Sequence, residues 1–281
     1  MTPIDEKALQ AYVGKQVTVE DELRPFPAQA LAAALGRNAS LDQGDFIPPA
    51  WQWLYFLDIP HASATGVDGH PSASALLPPP PLPRRMWAAG DMRIERPLRL
   101  GYPAFRRSTI KSIQAKSGRS GPLVFVNLEH EFIQNQILCI TEEQNLVYRD
   151  ASRGPMPIDQ GGPAPAAGEW TQQINPDPVL LFRYSALTYN SHRIHYDQAY
   201  ATQQEFYPGV VVHGPLLATL LLELCQSRLP YGAIKTFRFR AVRPTYMGRM
   251  VTLNGTLNGN EIALWSTQDG SLCMSATASL A

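Results

Sequence analysis

This sequence is short of the features that classify a protein fastest. Its 281 residues hold three cysteines, Cys139, Cys225 and Cys273. They are far apart, odd in number and set among apolar or small residues. That excludes a disulfide framework and predicts reduced, packed thiols in a cytoplasmic protein. No charge is in excess, with Lys plus Arg and Asp plus Glu at 24 each. No overall field attracts nucleic acid, so an anionic ligand must be met locally. The longest apolar helix candidate, Pro215 to Leu224, is too short to span a bilayer, so no membrane partner is expected. The opening MTPIDEKALQ has no apolar signal core and carries acids, which argues against a secretory or transit peptide. What remains is an ordinary globular composition, 44% hydrophobic and 17% charged, with room for one large domain or two smaller ones.

Histidine is scarce too, and where it occurs is informative. Of six histidines, three lie in Asn190-Ser-His192-Arg193-Ile194-His195-Tyr-Asp197 and Val211-Val212-His213-Gly214-Pro215. Histidine is the commonest general base near neutral pH. Pro215 suits the first turn of a helix, and a glycine N–H at a helix N-terminus can hold a developing oxyanion. The combination points to acid–base chemistry at a carbonyl.

The chain also repeats itself. A Pro/Gly-rich stretch from Arg153 to Gly168 divides it and reads as a linker. On either side stands Arg-x-x-Arg-Pro-x-x-x-Gly, at Arg93–Gly101 and Arg240–Gly248. Upstream of each is an apolar run entered through proline, Pro49 to Leu57 and Pro215 to Leu224, each predicted helical. The spacing from Pro49 to Pro215 exceeds that from Arg93 to Arg240 by 19 residues. The surplus matches an apparent insertion, His61 to Arg85, rich in Ser, Ala and Pro. Strands are predicted at 105–113, 123–133 and 136–140, and at 250–257, 261–266 and 272–280. Gly118–Gly121, Asn258-Gly259 and Asp269-Gly270 supply turns. Each half therefore reads as an apolar helix with an antiparallel sheet, an α+β unit whose helix must be buried.

A helix wrapped by an antiparallel sheet is the hot-dog fold, and the chain resembles the MaoC-like hydratase/dehydratases. The resemblance is nearest to double-hot-dog members acting on mesaconyl- or itaconyl-type CoA thioesters. That family's motif runs Asp-x-Asn-Pro-Ile-His-x-Asp, with His-Gly opening the central helix downstream. Ile194, His195, Asp197, His213 and Gly214 match it. Asn190, His192 and Arg193 depart from it, replacing its Asp, Asn and Pro, so the usual carboxylate–imidazole pair is missing. The match is specific from Leu181 to Leu224 and only architectural in the first half.

The resemblance implies a tandem (double) hot-dog. Residues 1–150 would form an N-terminal unit without the catalytic motif, which supplies wall and lid. Residues 151–170 would be the linker and 171–281 the catalytic unit. It implies a hydro-lyase that adds or removes water across a short enoyl-CoA, itaconyl- or mesaconyl-like and carboxylated. CoA would be part of the substrate, and no cofactor is expected. His195 is the expected base, Asn190 would hold water through its amide oxygen, and the Gly214 N–H would polarise the thioester. The missing Asp should lower the pKa of His195. Arg193, His192, Arg183 and His213 are expected to bind substrate, with the alternative for His213 that its ring only shapes the loop and leaves Gly214 to act. Arg193 would read a carboxylate or, alternatively, pair with Asp197 or cap backbone carbonyls. The basic run Arg106, Arg107, Lys111 and Lys116 is read as CoA contact or as a solvated strand face.

Other readings stay open. His192, His195, His213 and Asp197 form a loose metal-ligand set, but no metal is assigned. A hot-dog thioesterase would need a helix carboxylate, and Glu223 lies far along the second helix. A non-catalytic acyl-CoA-binding protein would explain the Asp-to-Asn change. The pairing habit of hot-dog units is met within the chain, which fits a monomer or a homodimer.

Overall fold

The computed structural model describes residues 4–39, 41–118, 121–152, 154–155, 163–230 and 232–281. Among these residues, ten strands make one antiparallel sheet. The first half gives β1 (Gln16–Asp21), β2 (Arg84–Ile94), β3 (Ala104–Gly118), β4 (Gly121–Gln134) and β5 (Ile137–Arg149). The second gives β6 (Trp170–Ile174), β7 (Ile234–Ala241), β8 (Val251–Asn258), β9 (Glu261–Gln268) and β10 (Ser271–Leu280). Their spatial order is β1-β3-β4-β5-β2-β7-β10-β9-β8-β6. From either edge inward, each half repeats one topology, and β2 pairs with β7 in the centre from Ala89↔Arg240 to Arg93↔Thr236.

The repeated Arg-x-x-Arg-Pro pattern begins at the end of each of these central strands, so the sequence repeat is also a repeat of backbone. Glu95 and Arg96 donate to the Cys139 carbonyl, and Val242 and Arg243 donate to that of Cys273. Gly101 and Gly248 close the two patterns with φ of +75° and +74°, a conformation that favours glycine. The second-half helix is also as predicted. Gly214–Gln226 (α5 below) buries nine side chains, including Leu216, Leu217, Leu221 and Leu222, against the sheet.

The first-half helix is not. Pro49 to Leu57 contains only a 3-10 turn, Trp51–Leu54, between Ala50 and Phe56, whose φ values are +69° and +57°. Two left-handed residues this close rule out a continuous α-helix. The turn aims Gln52 and Trp53 at Glu142, whose oxygens accept from Gln52 Nε2 at 3.1 Å and Trp53 Nε1 at 3.0 Å. Four helices not foreseen complete the fold: α1 (Glu6–Gln10), α2 (Pro25–Ala34), α3 (Pro178–Leu187) and α4 (Gln198–Gln203). The inserted stretch forms no strand before Arg84, holding instead a turn at Ala62–Ala64 and a bridge between Thr65 and Pro71. The middle of the Gly118–Gly121 turn and parts of the linker lie outside the described residues.

Candidate active site

Helix α3 is capped by Asp177 and ends at Thr188, where Tyr189 turns the chain with φ +51°. The loop that follows carries Asn190, Ser191 and His192 into a turn at Arg193–His195. Asp197 then caps α4, accepting from Tyr200 N–H at 2.9 Å. This loop, the first turn of α5, the inserted segment and one face of β3–β5 enclose a cavity of about 590 Å³. That volume suits a sizeable small-molecule ligand.

His195 is buried, and its Nδ1 donates to the Val211 carbonyl at 2.8 Å. The proton is thereby fixed on Nδ1, leaving the Nε2 lone pair on a residue that lines the cavity. Its pKa is depressed to about 4, chiefly by burial, with the bond to Val211 opposing. The expected lowering is present, but burial rather than the missing carboxylate is its main cause. Gly214 opens α5 and also lines the cavity. A Cβ there would meet only the Trp87 carbonyl, 3.9 Å away. Open space therefore lies beside Gly214, and its N–H has no backbone partner among the described residues.

Asn190 lines the cavity, but its amide oxygen accepts from His192 N–H at 3.1 Å and pins the turn. The amide NH2, rather than the oxygen, is the group left for a ligand. His192 lines the cavity beside His195, with ring centroids 5.4 Å apart. Burial, reinforced by neighbouring charges, keeps it neutral.

Three expected substrate contacts are elsewhere. Arg193 is 40% exposed, and its Nη2 and Nε bond Asp197 at 2.7 and 3.0 Å while Nη1 donates to the Val67 carbonyl. The alternative pairing with Asp197 is the one that forms, because a side chain on this turn points away from the cavity. Arg183 sits on the exposed face of α3, outside the cavity lining. His213 lies behind His195, stacked on it at 3.8 Å, with Nε2 bonded to Ser185 at 2.9 Å. It supports the base from behind instead of meeting a ligand.

The loose metal set does not assemble either, since His195 Nδ1 and Asp197 are already engaged. Asp68, His70 and His192 do bring donor atoms within 4.8 Å. Between Asp68 Oδ2 and His70 Nδ1, however, the 2.9 Å spacing is that of a hydrogen bond. Glu223 is held by Arg37 at 2.6 Å and Trp51 at 2.9 Å, remote from the cavity, which removes the thioesterase candidate.

The first half contributes more than wall. Arg106, Ser108, His130, Glu142 and Gln144 line the cavity from β3, β4 and β5. His130 bonds Ser108 and Gln144, and burial lowers its pKa to about 4. Burial raises that of Glu142 to about 7. Of the basic run, Arg107 and Lys111 pair outside with Glu131 and Glu129, while Arg106 faces in. Burial acts to lower its pKa, and Glu142, Asp58 and Asp21 attract it only from beyond ion-pair distance. Its buried Nε has no partner among the described residues. A strand presenting two adjacent arginines must turn one inward; nothing in the sequence alone says which.

A duplicated hot-dog sheet with a buried histidine beside the N-terminus of the enclosed helix is the architecture of the MaoC-like class. Comparison with known proteins agrees. The chain superimposes on a solved MaoC-like dehydratase with a TM-score of 0.72 at 14% identity, covering 97% of this chain and 99% of the other. It superimposes on a double-hot-dog protein of Mycobacterium tuberculosis with a TM-score of 0.57 at 14% identity, covering 96% of each. In sequence it is 42% identical to the mesaconyl-C(4)-CoA hydratase of Chloroflexus aurantiacus, over 96% of this chain and 97% of that one. Residues 50–247 match the profile of hydroxyacyl-thioester dehydratase type 2, and the chain belongs to that family.

Proposed function

We propose that this protein is a hydratase of a short, carboxylated enoyl-CoA of the mesaconyl type, working without a cofactor beyond the CoA of its substrate. The observation that carries the chemistry is the pairing of a neutral His195, its Nδ1 proton fixed, with the Gly214 N–H, which has no backbone partner among the described residues, on one cavity. In hydration, His195 Nε2 takes a proton from water as the oxygen attacks Cβ. The Gly214 N–H receives the charge that grows on the thioester oxygen. The similarity to a mesaconyl-C(4)-CoA hydratase supports a carboxylated acyl group. So does Arg106, a cavity cation with no hydrogen bond or ion pair among the described residues. In this reading residues 1–150 form a unit that shapes the acyl chamber, 151–170 a connector, and 171–281 the unit bearing the base. The buried free thiols of Cys139, Cys225 and Cys273 suit a cytoplasmic setting. No described helix is long and apolar enough to cross a membrane. The tandem halves leave a monomer or homodimer open to direct sizing.

The test follows enoyl absorbance and free thiol together, with mesaconyl-C(4)-CoA and crotonyl-CoA. The expected result is loss of the enoyl signal without thiol, faster with the carboxylated compound. Thiol release would mean a thioesterase, and binding with neither change a non-catalytic acyl-CoA-binding protein.

A further inference from the structure

The inserted segment is fastened to the catalytic loop. Arg193 N–H donates to the Asp68 carbonyl at 2.8 Å, Arg193 Nη1 to the Val67 carbonyl at 3.0 Å, and the Ser191 hydroxyl to the Gly69 carbonyl. Gly69 has φ +90°, and a Cβ on it would stand 1.8 Å from the Ser191 carbonyl oxygen. Only glycine permits that approach. This docking sets the His70 ring on the cavity wall, 4.0 Å from the His192 ring, centroid to centroid.

His70 brings a carboxylate with it. Asp68 Oδ2 bonds His70 Nδ1 at 2.9 Å, and Asp68 Oδ1 accepts the His70 backbone N–H at 2.9 Å. Burial works to raise the Asp68 pKa, but the bonds from His70 outweigh it and the acid stays ionised. Nδ1 therefore carries a proton and Nε2 is the atom free to exchange one. The imidazoles of His70, His192, His195 and His213 form a row with Asp68 at one end. Mutual repulsion allows the row one proton at a time, and Asp68 makes His70 its best holder. Other charges act on it as well. Burial, the largest influence, and Arg85 hold the His70 pKa below its ordinary value against the pull of Asp68, and among the described residues no other carboxylate acts on the ring.

We infer that His70, oriented by Asp68, is the second acid–base group of this site and supplies the carboxylate–imidazole pair that the Asn190 loop lacks. The inference rests on the hydratase reading. His195 Nε2 takes one proton from water, whose oxygen bonds Cβ while the π pair moves through Cα to the thioester oxygen. The His70 imidazolium then gives its Nε2 proton to Cα, and the enolate pair becomes the new C–H bond. His195 is left protonated and His70 neutral. The site resets by exchange with bulk solvent, His195 losing a proton and His70 regaining one, so that water alone is consumed. Dehydration is the reverse.

The test uses the full chain with mesaconyl-C(4)-CoA and crotonyl-CoA across pH. Asp68→Asn keeps an oxygen for the backbone bond but removes the charge. It should move the alkaline limb of the kcat profile to lower pH, because His70 then loses its proton earlier. His70→Ala should lower kcat at least about a hundredfold with KM little changed. Added imidazole should restore part of that rate, with the same limb following the imidazole. An Asp68→Asn profile that overlays the parent's, or a folded His70→Ala enzyme of normal rate, overturns the inference. If His70→Ala is slow but imidazole restores nothing, the ring is structural and the inference also falls. A parent that hydrates neither compound would instead remove the hydratase reading itself.

Discussion

Replacing Arg106 with glutamine separates recognition of the acyl carboxylate from general catalysis. Arg106 is half-buried on the cavity wall, and its buried Nε lacks a partner among the described residues. The Phe56 ring and three more distant carboxylates surround it, but no ion pair or hydrogen bond among the described residues holds it, so it is available to an anion. A hydrogen bond to a charged group contributes about 1.5–3 kcal/mol. At about 1.4 kcal/mol per tenfold, that is roughly a 10- to 150-fold loss of kcat/KM for mesaconyl-C(4)-CoA in Arg106→Gln. Crotonyl-CoA has no carboxylate and should lose little. Stability should hold or rise, because removing an unpaired cation relieves a desolvation cost. Steady-state kinetics on both thioesters, with a melting curve as control, measure all three effects. Equal losses on the two substrates would refute the assignment and make Arg85 the next cation to test.

Gly214→Ala tests the oxyanion site: the cavity admits the methyl, so the protein should fold normally yet lose about a hundredfold or more in kcat, since the methyl occupies ligand space. Normal activity in the alanine variant would place the thioester elsewhere. His195→Ala should cost at least about a hundredfold in kcat, and a folded variant of near-normal rate would remove it as the base. Stability should depend on acid in a defined way. His130 and His195 have folded pKa values of about 4, below the 6.5 of the free side chain, so each stabilises the fold above pH 6.5 and loses that contribution as pH falls toward 4. At about 1.4 kcal/mol per unit the loss is about 3 kcal/mol for each. Glu142, raised to about 7, works in the opposite direction between its free value of 4.5 and 7. Urea midpoints at pH 7 and pH 5 should therefore converge in His130→Gln and separate further in Glu142→Gln; unchanged differences would contradict the sign.

What the sequence made legible was local. His195, His213-Gly214 and the two Arg-x-x-Arg-Pro patterns are read from short spacings, and they sit where such spacings put them. The insertion emerged from a mismatch of intervals. Its turn at Val67–Gly69 docks on the catalytic loop, which no local pattern could reveal. The sequence leaves Arg193 open between a ligand and Asp197, because its aim depends also on Val67, 126 residues away. Arg106 and Glu142 reach the cavity through sheet register, in which a strand polar on both faces hides which residues point inward. The Pro49 run looked helical because apolarity and an opening proline are helix signals. Ala50 and Phe56 adopt left-handed conformations that their identities do not announce.

The central claim is that this site adds water to Cβ of a carboxylated enoyl-CoA and leaves the thioester whole. Reaction of mesaconyl-C(4)-CoA in water labelled with heavy oxygen, read by mass spectrometry of the intact thioester, tests it most directly. The account predicts one labelled oxygen in the acyl part of a product that still carries CoA. Label recovered in a free acid with CoA released, or an unlabelled and unchanged thioester, would contradict it.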